Sequence, residues 1–568
     1  MPRAFAAFAL CIGTTLLSPA AVLAQAEPGP GLSGAYLAGR AAALDGDQRA
    51  AARFFERALI ADPGNGLIAG NAIYARAAMG DWARAAELAD AADDTPGARE
   101  LADLARFVLA VRSGNFAEAA EAIAAQQAGG PLIDGLAEAW LRFGGGDMTG
   151  AVAAFEAVAE EPTLANLART HLGYARAAVG DFEGADLILS GEAFGPVTMT
   201  ERTIRARAEI LAQLGRRDEA VALLTRFTDA VPDPSILALQ ARLATETAPR
   251  PYAFITTAQQ GVAEVFFSVA RALEADGQAG GLPVLYGQAA RGIDPDHGQA
   301  AMFVARMFLE QGQHELAAES FATVPPDSDN YVEAQAGRAE ALYEAGAADE
   351  AIALLRAVTA ERPGLSSIYA ALGDLLRRED RCGEAIEAYS EAIDAMDDSQ
   401  ESAWFLFYTR AICYEQTDNW PPAEADFRRA LELNPEQPNV LNYLGYSLVE
   451  QRRNFDEALD MIERAVAGRP DSGYITDSLG WVLYRLGRFE EAVAPMERAV
   501  ELAPYEPIIL DHLGDVYWMV GRYREAEFQW NRALSFEPEP DVADRIRRKL
   551  DMGLYEVLEA EGGVGAIQ

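Results

Sequence analysis

Four histidines, three cysteines and 87 carboxylates are the side chains of this 568-residue chain best suited to acid–base, nucleophilic or metal chemistry. Such chemistry needs fixed short spacings: His-Glu-x-x-His on one helix face, Cys-x-x-Cys, or a serine in Gly-x-Ser-x-Gly. His171, His297, His314 and His512 are scattered, and none of these motifs occurs. Paired acids such as Glu490-Glu491 stand where a helix would start, a place where the helix dipole favours carboxylates. Gly144-Gly145-Gly146 has neither the fingerprint nor the following lysine of a phosphate loop. No catalytic residue, metal ligand or cofactor site is expected, and the chain reads as a non-enzyme.

Charge narrows the partners. Lysine and arginine number 47 against 87 acids, a net of −40, and Lys549 is the single lysine. An acidic surface of this size does not attract nucleic acid or anionic lipid, and suits basic or neutral polypeptides. The first residues carry a different signal. Arg3, an apolar run from Ala4 to Leu17 and the small-residue site Val22-Leu23-Ala24 follow the plan of a secretory signal peptide. Cleavage is expected after Ala24, and the run is short of the roughly 20 residues of a spanning helix. Cys11 lies inside the run, behind Phe8-Ala9-Leu10, which is not a lipid-attachment site. An exported, periplasmic protein without a stable membrane span is the expectation.

Elements that could position a binding surface come from a repeat. Gly80-Asp81-Trp82, Gly114-Asn115-Phe116, Gly180-Asp181-Phe182, Gly487-Arg488-Phe489 and Gly521-Arg522-Tyr523 recur, with 34 residues from Gly80 to Gly114 and again from Gly487 to Gly521. Ala85, Ala119, Ala185, Ala492 and Ala526 each follow five residues after the glycine. A period of this length marks stacked supersecondary units. Gly487 caps a first helix and lets the chain reverse; Pro504 closes the second helix, which it cannot continue. Gly480 and Gly514, inside first helices, predict a second helix crossing close above. Units begin near residues 32, 66, 100, 132, 166, 201, 264, 298, 332, 366, 404, 438, 473 and 507.

This set of recurring positions resembles the tetratricopeptide repeat, strongly after residue 330 and more weakly before. The resemblance implies an all-α fold, a right-handed α-solenoid of helix-turn-helix units. It also implies that positions 2, 5, 9, 12 and 13 of each first helix line a concave face. In the last units these include Asn442, Tyr446, Tyr474, Asp477, Trp481, Tyr484, Asp511, Asp515 and Trp518, taken as candidate peptide-binding residues. Aromatics supply contact area at low entropic cost, and Asn and Asp can hold a partner's backbone or cations. For Trp481 and Trp518 a place in the core between repeats is an equal alternative.

Tyr443-Leu-Gly-Tyr446, Tyr474 to Trp481 and Asp511-His-Leu-Gly-Asp515 are similar to exported repeat proteins of Gram-negative bacteria. Some of these are adaptors that gather carboxyl-terminal processing proteases and their cell-wall hydrolase substrates. The resemblance implies an envelope scaffold with protein or peptide partners. A structural subunit of a secretion or polysaccharide-export machine is the alternative.

The period fails between Pro232 and Pro295, 63 residues apart. The expected organisation is therefore a signal peptide over 1–24, an N-terminal degenerate solenoid over 25–250, a C-terminal solenoid over 251–540 and a capping helix and tail over 541–568. The stretch 232–263 is a joint or a degenerate repeat. Cys382 falls at the start of a second helix and Cys413 late in the next first helix, so a bridge or two buried thiols are both open.

Overall fold

The computed structural model describes residues 31–562, apart from 93–94, 125–130, 230–233, 246–249, 278–280 and 397–400. The signal segment 1–24, Val231-Pro232-Asp233, Ala248-Pro249 and the final residues 563–568 lie outside the described residues. Those described form 31 α-helices and two 3-10 turns with no strand, so the fold is all-α.

The reversal from a first helix to its second rests on a left-handed residue, as at Gly487. At Gly487, φ is +73°. Its N–H donates to Tyr484 O at 2.9 Å and the Arg488 N–H donates to Leu483 O at 2.9 Å. These two bonds satisfy carbonyls that the end of a helix would leave bare. Gly80 repeats the pattern toward Ala77 and Arg76, after which Asp81 Oδ1 accepts from the Arg84 N–H at 3.2 Å and caps the next helix. Asp380, Asp418 and Arg452 hold the same turn with φ between 55° and 58°. A side chain there costs about 1–2 kcal/mol, which the packed helices on either side offset. The glycine phrase was therefore incomplete as a marker of turns.

Glycines inside first helices mark the crossings. A Cβ on Gly480 would stand 2.5 Å from Met496 Cγ, and one on Gly514 would stand 2.4 Å from Trp530 Nε1. First helices run Gly66–Ala78, Ala165–Ala178, Glu201–Gln213, Ser366–Arg378, Trp404–Gln416, Pro438–Glu450, Gly473–Arg485 and Pro507–Met519, in step with the sequence register.

The chain divides into two compact units between Leu355 and Arg356. The division expected from the sequence, at 250/251, falls inside the first of these units. In the first unit, helices Ala258–Ala275 and Gly281–Ile293 pack back onto Gly66–Ala78, Ala98–Arg112 and Pro131–Gly144. Trp82 Nε1 donates to Gln288 O at 3.0 Å, and Gln288 Nε2 donates to Ala78 O at 2.9 Å. Gly292 leaves room for the Trp82 ring, and Gly261 for Trp140. One apolar core consequently runs from Ala35 to Ala341. Helix Pro234–Thr245 packs on the preceding helices: Ile236, Leu239 and Leu243 join Ile204, Leu211 and Leu224 in a separate small cluster. A proline-rich interruption spaced the repeats without parting the core.

Candidate peptide-binding surface

In the second unit, the first helices Trp404–Gln416, Pro438–Glu450, Gly473–Arg485 and Pro507–Met519 follow one another, each succeeded by its second helix. Side chains three or four residues apart share a helix face, so the register sets which groups of neighbouring first helices meet. Acids on one helix meet donors on the next. Glu415 accepts from Tyr443 Oη at 2.8 Å and from Ser447 Oγ at 2.9 Å. Glu450 accepts from Trp481 Nε1 at 3.2 Å and Arg485 NH1 at 3.3 Å. Asp477 pairs with His512 Nδ1 at 3.0 Å, and Asp511 accepts from Lys549 Nζ at 2.8 Å. Carboxylates of the expected inner face thus bind one unit to the next.

Burial follows from this. Asp477, Trp481, Tyr484, Asp511 and Asp515 are all 9% exposed or less. Trp481 is stacked on His512 with centroids 4.0 Å apart and on Tyr484 at 4.8 Å. The expectation that these five residues line an open surface is corrected: their neighbours in the stack cover them. Trp518, half-buried, packs against Tyr523 at 4.7 Å, Trp530 at 5.3 Å and Tyr555 of the last helix at 6.5 Å. Asn442 and Tyr446 are half-buried, while Tyr474 is 43% exposed. The Glu450 side chain is equally open at 43%. Of the nine candidates, Tyr474 is the most exposed.

The C-terminal segment completes the last unit. Helix Pro540–Met552 turns Ala543, Ile546 and Lys549 inward and keeps Asp541, Asp544, Arg547 and Arg548 exposed, which is the pattern a terminal cap requires. Lys549 Nζ also donates to Asp515 Oδ1 at 2.6 Å, and Trp530 Nε1 to the same oxygen at 3.0 Å. Arg545 approaches Asp515 Oδ2 to 3.5 Å. Burial opposes its charge, but Asp515 and Asp511 hold Arg545 firmly protonated. A further helix, Leu554–Ala560, follows within the stretch expected to hold the capping helix and tail.

His512, Glu415, Glu450, Arg485 and Lys549 were missed as structural groups of this face. Their signal was available: from acid to donor the separations are 28 to 38 residues, about one repeat (Glu415 to Tyr443, Asp511 to Lys549). The His512 side chain is 13% exposed, and this partial burial disfavours its charged form. Asp477 at hydrogen-bond distance, with Asp511 and Asp515 behind it, outweighs this and raises its pKa above 6.5.

The first unit holds a second polar concavity of about 170 Å³ beside Arg202, Phe254, Gln260, Asp294 and His297. Its charges already have partners. Arg202 Nε donates to Glu264 Oε1 at 3.1 Å, His297 Nε2 lies 3.3 Å from Glu264 Oε2, and the Arg202 guanidinium lies 4.2 Å from the Phe254 ring centroid. His297 Nδ1 accepts from the Ala300 N–H at 3.1 Å and so caps a helix. His171 is fully buried, with its pKa pushed down to about 4 by burial, and accepts from Trp140 Nε1 at 3.1 Å. Among the described residues no group of three or more His, Cys, Asp or Glu is placed to hold a metal ion, and no helix is long and apolar enough to cross a membrane.

Comparison with known proteins bears on the same region. A tetratricopeptide repeat family model matches residues 408–472 and 444–507. A TPR repeat-containing protein of Pseudomonas aeruginosa is 29% identical over 186 residues, 33% of this chain and 31% of that protein. Bacteriophage adsorption protein A of Escherichia coli K12 is 36% identical over 80 residues, 14% of this chain and 8% of that protein. The matches therefore span less than a third of the length of either relative. Among solved structures, PilW, a type IV pilus biogenesis factor, is similar over 36% of this chain and 88% of that one, with 20% identity and a TM-score of 0.30. The Cut9-Hcn1 structure covers 95% of this chain and 98% of that one, with 15% identity and a TM-score of 0.39.

Proposed function

The chain belongs to the tetratricopeptide-repeat proteins, and from that premise we propose that it is a periplasmic adaptor that holds polypeptide segments on the first helices of residues 404–519. Tetratricopeptide repeats mediate protein–protein contacts. The observation that carries the site is an exposed aromatic at an inward register position: Tyr474, 43% exposed near the start of helix Gly473–Arg485, with half-buried Asn442 and Tyr446 on the preceding first helix. An aromatic with one open face suits an extended segment, and the acid excess of the chain, a net of −40, favours one that carries an arginine or lysine. Asp477, Asp511 and Asp515 serve this surface indirectly, by fixing the pitch of the helices. Recruitment of substrates to an envelope protease is the finer role that the family resemblance suggests, and the periplasmic placement rests on the Ala4–Leu17 run and Val22-Leu23-Ala24.

The test is a photo-crosslinking residue placed at Tyr474 in living cells, with Phe528 as control. Phe528 lies on a second helix and is 64% exposed. Crosslinks at 474 to basic segments, absent at 528, support the proposal. Equal yields from both positions remove the surface from consideration. A partner that co-purifies in fixed ratio in a large complex replaces the adaptor with a permanent subunit of an envelope machine. Amino-terminal sequencing of the protein from envelope extract tests the location, with Gln25 expected first.

A further inference from the structure

Cys382 and Cys413 are buried, and their sulphurs face each other at 2.7 Å, inside the contact distance of two unbonded sulphur atoms. Cys382 opens helix Cys382–Asp394, the second helix of one unit, and Cys413 lies on Trp404–Gln416, the first helix of the next. We propose that this pair is a redox-active dithiol whose oxidation ties the two units together.

The two sulphurs are not equivalent. Cys382 stands at a helix start, where the dipole stabilises a thiolate. Contact with the Cys413 thiol lowers its pKa from 9.0, against its own burial, and Arg377 acts in the same direction. Contact with Cys382 and burial drive Cys413 upward. Access is also unequal. Cys382 Sγ donates to Gln416 Oε1 at 2.8 Å, and Gln416 is exposed, so movement of one surface side chain opens Cys382 to a small oxidant. Cys413 is fully buried.

The oxidant is a small-molecule disulfide. The Cys382 thiolate attacks one of its sulphurs, the S–S bond breaks, and one thiolate leaves. Cys413 then gives up its proton and attacks Cys382 Sγ, which expels the second thiolate. The net change is two protein thiols oxidised and one disulfide reduced to two thiols, with the two protons carried by the leaving groups. The bond closes a loop of 30 residues that contains all of helix Cys382–Asp394. It fixes the angle at which that helix meets the next unit, next to the first helices assigned to binding. The proposal concerns the stack itself and stands whether or not the groove binds basic peptides.

The full chain is held in a buffer of reduced and oxidised glutathione, quenched with acid, alkylated and cut with trypsin without reductant. The peptide 382–410 is expected in disulfide linkage to 411–428, and reduction should release both. Cys413→Ser should accumulate a glutathione adduct on Cys382. Cys382→Ser should leave Cys413 modified at least tenfold more slowly than Cys382 in the first variant. Recovery of both cysteines fully alkylated from folded protein in oxidised buffer overturns the proposal. So does linkage to Cys11, or between two chains, in place of the 382–413 bond.

Discussion

Lys549 Nζ lies 2.6 Å from Asp515 Oδ1, and neither side chain has any exposure to solvent. The only lysine of the chain is thus spent inside the last repeat, against two carboxylates, at the point where a further unit would otherwise stack. Replacing Lys549 by methionine leaves Asp511 and Asp515 without their main cation. Breaking a buried pair from one side costs about 3–5 kcal/mol, and Arg545 recovers part of it. The expected result is a lower urea midpoint for the unfolding step reported by the nearby tryptophans 518 and 530. The triple change Lys549→Met, Asp511→Asn, Asp515→Asn should restore most of the loss, because no unpaired charge remains. A Lys549→Met loss below about 1 kcal/mol, the range of exposed ion pairs, would contradict the buried network.

The His512–Asp477 contact makes part of this stability depend on pH. Its folded pKa lies above 6.5 because Asp477, with Asp511 and Asp515 nearby, outweighs burial. The charged pair therefore contributes fully below about pH 6.5, and its contribution is lost as pH rises through the folded value. Trp481 is stacked on the same ring. His512→Asn should cost most at pH 5.5 to 6, and the gap to the natural chain should narrow toward pH 9. A gap that stays constant over this range would show that His512 packs as a neutral ring.

Much of the stack could be read from the chain because its constraints are local. Gly487 needs a left-handed turn, Gly514 needs room for Trp530, and each leaves its own mark at a fixed spacing. The binding face was harder to read. Whether Asp477 faces solvent or His512 depends on which residue the next helix presents 35 positions later, and a helix-face rule alone cannot supply that. The division at Leu355 was hidden for the same reason: Gln288 meets Trp82 across 206 residues, and no local pattern records such a contact.

Two glycines that look alike in the repeat should respond differently to alanine. At Gly487 nothing stands within 4 Å of an added Cβ, but φ is +73°. The loss there is backbone strain of about 1–2 kcal/mol. At Gly514 the added Cβ would meet the Trp530 indole 2.4 Å away. That indole is fully buried and bonded to Asp515, so it has nowhere to go. Overpacking of this kind costs about 1–3 kcal/mol or more, beyond what alanine gains in helix propensity. Gly514→Ala should therefore lower the melting temperature further than Gly487→Ala and shift the tryptophan emission, while Gly487→Ala leaves the emission unchanged.

Trp82 offers the test of where the first unit ends. Its ring is 2% exposed and fills the space that Gly292 leaves, and its indole N–H reaches Gln288 O at 3.0 Å. Trp82→Ala opens a large cavity between helix Gly281–Ile293 and the early repeats, at a cost of about 3–5 kcal/mol. If residues 251–355 share one core with 31–250, the loss must be felt on both sides of the joint. Hydrogen exchange should then accelerate together in Gly66–Ala78, Ala98–Arg112 and Gly281–Ile293, with little change in Gly473–Arg485 of the other unit. A fragment ending at residue 250 should expose the apolar faces of Ile73, Val108 and Trp140 and aggregate, whereas one ending at 355 should remain folded. Exchange that rises in the early repeats alone would return the boundary to residue 250.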